Sequence, residues 1–133
     1  MEPILKFHFY LTLCLIIDKV NSQLVWTRYS GGTAIDESKG VACDSSGNIY
    51  VVGLTSGNFN GILNSGGNDA FIVKYSSSGD RLWTRLMGTA GNDEARGIAI
   101  SASGFIYVTG HTTGNLNVTN LGFNNYFFLA LAE

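Results

Sequence analysis

Two acid pairs, Asp36-Glu37 and Asp93-Glu94, stand at matching places in the chain, and paired carboxyls can serve as general acid and base. That work needs a cleft and two divergent pKa values. Lys39 and Arg96 follow the aspartates by three residues, so the same acids suit ion pairing or the capping of loop amides. Recurrence in each copy of a repeat favours that structural role over catalysis. The turn Asp44-Ser45-Ser46-Gly47-Asn48 offers oxygen ligands to calcium, which takes about six to eight. Ser101 and Phe105 replace Asp44 and Asn48 in the second copy, so a tight turn explains the pattern better. His8 and His111 are the only histidines, and His111 aligns with Leu54. Cys43 aligns with Ile100 and reads as a small buried hydrophobe. A Ser-His-Asp arrangement would have to recruit His111, and no serine lies in a strained nucleophile turn. The glycine loops Gly31-Gly32-Thr33 and Gly66-Gly67-Asn68 lack the strand-to-helix context of a phosphate cradle. The expectation is a non-enzyme with no catalytic residue, metal or cofactor. Asp36, Glu37, Asp93, Glu94, Tyr107 and His111 remain as weak binding candidates.

Composition bounds what these residues can belong to. The chain has 133 residues, which allows one ordinary domain at most. Lys plus Arg number 8 against 10 Asp plus Glu, so there is no basic excess for a phosphate backbone and nucleic acid is not an expected partner. Apolar residues at 45% and charged residues at 14% argue for a chain that folds. Seventeen glycines with one proline call for many tight turns.

The elements that position the candidates come from a repeat. Residues 26–60 align without a gap on residues 83–117, a period of 57, and 18 of the 35 pairs are identical. The pairs include Trp26 with Trp83, Tyr50 with Tyr107, Gly47 with Gly104 and Gly53 with Gly110. A long fixed period marks a solenoid or propeller, whose unit cannot bury its own apolar face. Within the unit the apolar residues alternate at spacing two, as in GVACDSSGNIYVVG and GIAISASGFIYVTG, which reads as strand, turn, strand. The pattern predicts strands near 24–30, 39–44, 48–55, 69–75, 81–87, 96–101, 105–111 and 126–131. That is an all-β fold of two four-stranded antiparallel propeller blades, with copies starting near 26 and 83. Ala42 and Ala99 fall in the innermost strands. Trp26, Trp83, Tyr50, Gly47, Gly104, Gly53 and Gly110 read as structural, the tryptophans covering the seam between blades.

The combination of the DAF strand, the SSGxxxW turn, the GNDEARG loop and the SGxIYVTG hairpin resembles the bacterial beta-propeller repeat of the seven-bladed propeller type, the SBBP-like repeat. The resemblance runs from residue 24 to about 131. It implies extracellular repeat proteins with no assigned catalytic site, and so a fold more than a function. The first copy departs from the pattern, with GGTAIDESKG in place of GTAGNDEARG, and NNYFFLALAE loses the Asp, Lys and Tyr of NDAFIVKYSS. Two blades make an incomplete propeller, either open or closed by oligomerisation, since closed ones have about four to eight.

Residues 1–22 read as a signal peptide: Lys6, an apolar run from Phe7 to Ile17, and Val20-Asn21-Ser22 before a cut at Gln23. The run is too short for a membrane span of about 20 residues, and bulky Leu13 disfavours a lipid-anchored Cys14. A competing reading makes this segment a strand, because LIIDKVNSQLVW parallels FIVKYSSSGDRLW. Cleavage would leave Cys43 alone, with no internal disulfide. Residues 23–133 are then a secreted or cell-surface scaffold whose partner is protein, through self-association or through the missing blades of a longer chain. A glycan is the alternative partner, suggested by the polar GNFN and GNLN loops, and a non-functional fragment is the remaining one. Asn117-Val118-Thr119 matches the glycosylation pattern.

Overall fold

Alternating apolar residues around five-residue turns produce seven strands in the computed structural model, which describes residues 25–116 and 125–132. The strands are β1 (Asp36–Cys43), β2 (Ile49–Thr55), β3 (Asp69–Tyr75), β4 (Arg81–Met87), β5 (Asp93–Ile100), β6 (Ile106–Thr112) and β7 (Asn125–Leu131). The first sheet runs in the order β1-β2-β3-β4 and the second in the order β5-β6-β7, every pair antiparallel. β7 holds the register of β3: Asn125 faces Thr112 as Asp69 faces Thr55. The readings placed on residues 1–22, on Cys14 and His8, and on Asn117 to Thr119 lie outside the described residues.

One turn is built three times. In each, the side-chain oxygen of the first residue accepts the amide of the fifth: Asn48 N to Asp44 Oδ1 at 2.9 Å, Asp80 N to Ser76 Oγ at 3.0 Å, Phe105 N to Ser101 Oγ at 3.0 Å. The fourth residue is glycine with φ of 77°, 86° and 87° at Gly47, Gly79 and Gly104, a region that a side chain makes costly. Gly53 and Gly110 serve a different need. They face Phe71 and Phe127 across the ladder, and a Cβ at either would stand 1.9 Å from the carbonyl oxygen of Glu37 or Glu94. The register of β1 and of β5 shifts just beyond those glutamates, between Ser38 and Gly40 and between Ala95 and Gly97. Such a bulge re-aims the strand while its neighbours stay paired.

The core lies in two layers. Between the sheets, Tyr50, Val52, Ala70 and Ile72 meet Ala95, Ile106 and Val108, all buried, with Trp83, Met87, Ile98, Phe127 and Leu131 packed around them. The Tyr50 and Trp83 rings meet edge to face at 6.0 Å. On the far face of the first sheet Phe59, Phe71, Val73 and Tyr75 form a second cluster, with Phe59 stacked on Phe71 at 4.4 Å. All seven residues of β3 are therefore buried. The far face of the second sheet is open, with Tyr126 83% and Phe128 69% exposed.

Three expectations need correction. Residues 25–30 carry no strand. A strand requires neighbouring backbone to pair with, and none of the described residues offers it. Instead Trp26 lies over the β3–β4 hairpin, its Nε1 donating to Ser77 O at 3.3 Å and its ring 6.4 Å from that of Tyr75, while the Ser30 and Tyr75 hydroxyls share a hydrogen bond. Second, among the described residues the sheets have four and three strands, not four each. Third, β1 and β5 begin three residues earlier than predicted, because Asp36 and Asp93 are their first residues rather than loop residues.

The turns separate two costs of replacing glycine. A Cβ at Gly104 meets nothing within 4 Å, whereas one at Gly79 lies 2.7 Å from the Trp26 ring. Gly104→Ala should cost about 1–2 kcal/mol from backbone strain alone. Gly79→Ala should cost more and shift the tryptophan emission, both read in urea unfolding followed by fluorescence.

Candidate functional site

The acids occupy the ends and edges of the strands, and the two members of each pair have different surroundings. Asp36, Asp69 and Asp93 open β1, β3 and β5, and each accepts the amide four residues back: Gly32 N to Asp36 Oδ2 at 2.9 Å, Ser65 N to Asp69 Oδ2 at 2.7 Å, Thr89 N to Asp93 Oδ2 at 2.7 Å. Thr89 Oγ1 also donates to Asp93, at 2.8 Å. Asp69 and Asp93 are fully buried. The remaining oxygen of each of the three, Oδ1, is buried without a hydrogen bond. All three carboxylates fix their own loops, Asp69 and Asp93 from full burial and Asp36 from a partly buried position. The loops they fix also bond to each other, Gly67 N to Gly91 O at 3.0 Å and Asp93 N to Asn68 O at 2.6 Å. Asp69 was absent from the sequence candidates although a signal exists: Gly67-Asn68-Asp69 repeats Gly91-Asn92-Asp93.

The glutamates point the other way, into a short array of charges along β1 and β5. Lys39 Nζ lies 2.5 Å from Glu37 and 3.8 Å from Glu94, and Arg96 lies 3.1 Å from Glu94. Lys39 and Arg96 are the extra residues of the two bulges. Hydrogen bonding to Glu37, helped by the charges of Glu37 and Glu94, raises the Lys39 pKa against partial burial. Hydrogen bonding to Glu94 likewise raises that of Arg96. His111 faces Glu94 across the β5–β6 ladder, with Nδ1 3.4 Å from the carboxylate but not aligned for a hydrogen bond. Glu94 is the more enclosed acid, its side chain 13% exposed against 50% for Glu37. Tyr107 lies on the His111 face of β6, where its ring stacks on Phe128 at 5.7 Å. Glu94, His111 and Tyr107 thus share a face, and Asp93 does not.

The Asp44 turn is saturated. Its carboxylate accepts the amides of Ser46 and Asn48, each at 2.9 Å, the Asn48 side chain at 2.8 Å and the Tyr50 hydroxyl at 3.1 Å. Partial burial pushes the Asp44 carboxyl up, but the side chain and amide of Asn48, the Tyr50 hydroxyl and the Ser46 amide outweigh it and hold the pKa below the ordinary value. Among the described residues no group of three or more His, Cys, Asp or Glu side chains is arranged to hold a metal ion. Cys43, expected to be buried, is half-buried at the end of β1 and forms no disulfide.

Because the folded pKa of Asp44 is depressed, its contribution to stability is fully present above the unfolded value of about 3.9 and is lost as pH falls through the folded value. Asp44→Ser keeps one capping oxygen, as at Ser76 and Ser101, but loses the charge. It should cost on the order of 1 kcal/mol near neutral pH. That cost should shrink as pH falls through the folded value, as urea midpoints across the acid range would show.

Residues 25–60 and 82–117, just over half of the chain, match the family described as beta-propeller repeat. The chain is also 33% identical over 85 residues to the Regulatory protein FlaEY of Caulobacter vibrioides, a similarity that covers 59% of this chain. The chain spans only 9% of that relative's length. Two matched copies, each opening on a Trp-Thr-Arg segment and running through an acid pair into a hairpin, establish that the chain belongs to the beta-propeller repeat family.

Proposed function

We propose that this chain is an exported, non-enzymatic propeller-repeat module, of the seven-bladed propeller type, that acts as a protein-interaction scaffold. The observation that carries the reading is the outer face of the second sheet. The matching face of the first sheet, Tyr50, Val52, Ala70 and Ile72, is covered by protein. Its counterpart presents Tyr107, Tyr126 and Phe128, a contiguous aromatic surface of the kind that marks an interaction site. The acids, by contrast, are engaged by loop amides or by basic neighbours.

A second reading has an observation of its own. The stacked Tyr107 and Phe128 rings, with Glu94 and His111 on the same face, would suit a sugar ring bordered by polar groups. Photo-crosslinking from a benzoyl-phenylalanine at position 128 decides between the two. The scaffold reading expects adducts on polypeptide that are lost with Tyr126→Ser. Labelling by neutral or acidic oligosaccharides, abolished by Tyr107→Ala, would overturn it.

Export rests on the leader-like residues 1–22. Cell fractionation with N-terminal sequencing should find the protein outside the cytoplasm and starting at Gln23; an intact Met1 in the cytoplasmic fraction would count against it.

A further inference from the structure

We infer that a second copy of this chain completes the second sheet, its residues 25–30 pairing antiparallel with the outer edge of β7. The inference rests on the scaffold reading and names the partner.

Three observations converge. Trp26-Thr27-Arg28 repeats Trp83-Thr84-Arg85, the middle of β4, so these residues have the sequence of a fourth strand. They nevertheless lie outside any strand, with Tyr29 84% exposed. β7 keeps the register of β3, yet the edge on which β3 receives β4 has no partner on β7 among the described residues. An open edge beside an exposed aromatic face is a template for another chain.

The third observation is where Trp26 already sits. Trp83, on β4, packs into the core between the sheets, to which Leu131 also contributes. Leu131 stands on β7 where Tyr75 stands on β3, and Trp26 packs on Tyr75. Residues 25–30 are thus placed over the far face of the first sheet much as β4 is placed over the second sheet. Pairing them with the β7 of another copy reproduces the sheet-on-sheet packing that the chain already contains. The stacked Tyr107 and Phe128 of one copy then approach Ile49 and Val51 of the next, two hydrophobics left half-buried in the far-face cluster.

The register follows from β3 and β4, where Val73 faces Thr84, Ile72 faces Arg85 and Phe71 faces Leu86. Transferred, Leu129 faces Thr27, Phe128 faces Arg28 and Phe127 faces Tyr29. Arg28 would lie along the exposed Phe128 ring, a contact that guanidinium groups favour. The interface is heterologous, head to tail, and closes into a ring where the rotation allows. With two sheets per copy and about four to eight in a closed propeller, two, three or four copies suffice.

The test mixes two variants of the full chain in a Cys14→Ser, Cys43→Ser background, one carrying Thr27→Cys and the other Leu129→Cys. Directly facing antiparallel residues lie about 4.5–5.5 Å apart at Cα, within reach of a disulfide. Oxidation should give the mixed dimer, and far less of it when Ala130→Cys replaces Leu129→Cys. The unsubstituted chain should sediment at two, three or four times the mass of one copy, which is 14.3 kDa with residues 1–22 and correspondingly less once they are cleaved. Tyr29→Pro, at an exposed position, should reduce it to a monomer. A monomer in the unsubstituted chain, or an assembly that survives Tyr29→Pro without the mixed disulfide, overturns the inference. A monomer that still crosslinks from position 128 to other polypeptides overturns only this inference, whereas oligosaccharide labelling overturns the scaffold reading beneath it.

Discussion

Each sheet of this chain is apolar on both faces, and such a sheet is stable only where something covers it twice. β3, buried along its whole length, is where the demand is met in full. The second sheet covers one side of it, and Phe59 with the Trp26 segment covers the other. The remaining architecture follows from that double cover. Small residues stand where the sheets come closest, as at Gly40, whose missing Cβ would lie 3.4 Å from Ile98, and glycines at 53 and 110 let Phe71 and Phe127 lie flat across their neighbours.

Polar groups go to the margins of this packing. A buried carboxylate is tolerable only when hydrogen bonded, and leaving its partner unpaired costs about 1–3 kcal/mol. Asp69 and Asp93, fully buried, and Asp36, partly so, answer this by closing the loops that deliver the chain to each new strand. The glutamates beside two of them reach the strand edges, where the bulges present Lys39 and Arg96 to them. Adjacent acids thereby take separate tasks, one shaping the path of the chain and one balancing charge along it.

Much of this was legible in the residues, and the misses have physical causes. The turns were readable because Gly47 and Gly104 sit at positive φ, a demand local enough to leave a direct trace. The hairpins were readable because alternation at spacing two depends on neighbours in sequence. Trp26 was misread because its strand character belongs to a pairing partner, not to the segment itself. The early starts of β1 and β5 were hidden because Asp is a poor strand former, and only the amide four residues back makes it a good first residue. Asp69 escaped because it lies outside the aligned stretches 26–60 and 83–117, and its counterpart on the last strand is Asn125, not an acid. Its kinship is to Asp93 of the next copy, through Gly67-Asn68 and Gly91-Asn92, a likeness off the 57-residue period, and in the fold the two loops lie against each other.

The sequence period and the sheets are out of phase. The second copy opens at Trp83, inside β4, so its first strand belongs to the first sheet, and the second sheet begins only at Asp93. A gene that gains or loses one whole period therefore never leaves a sheet with a surplus or deficit of strands inside the array, wherever the recombination falls. The same offset stitches neighbours together, since no copy can be lifted out without taking a strand from the sheet before it. Length can drift in such a lineage by whole units while each junction remains covalently tied.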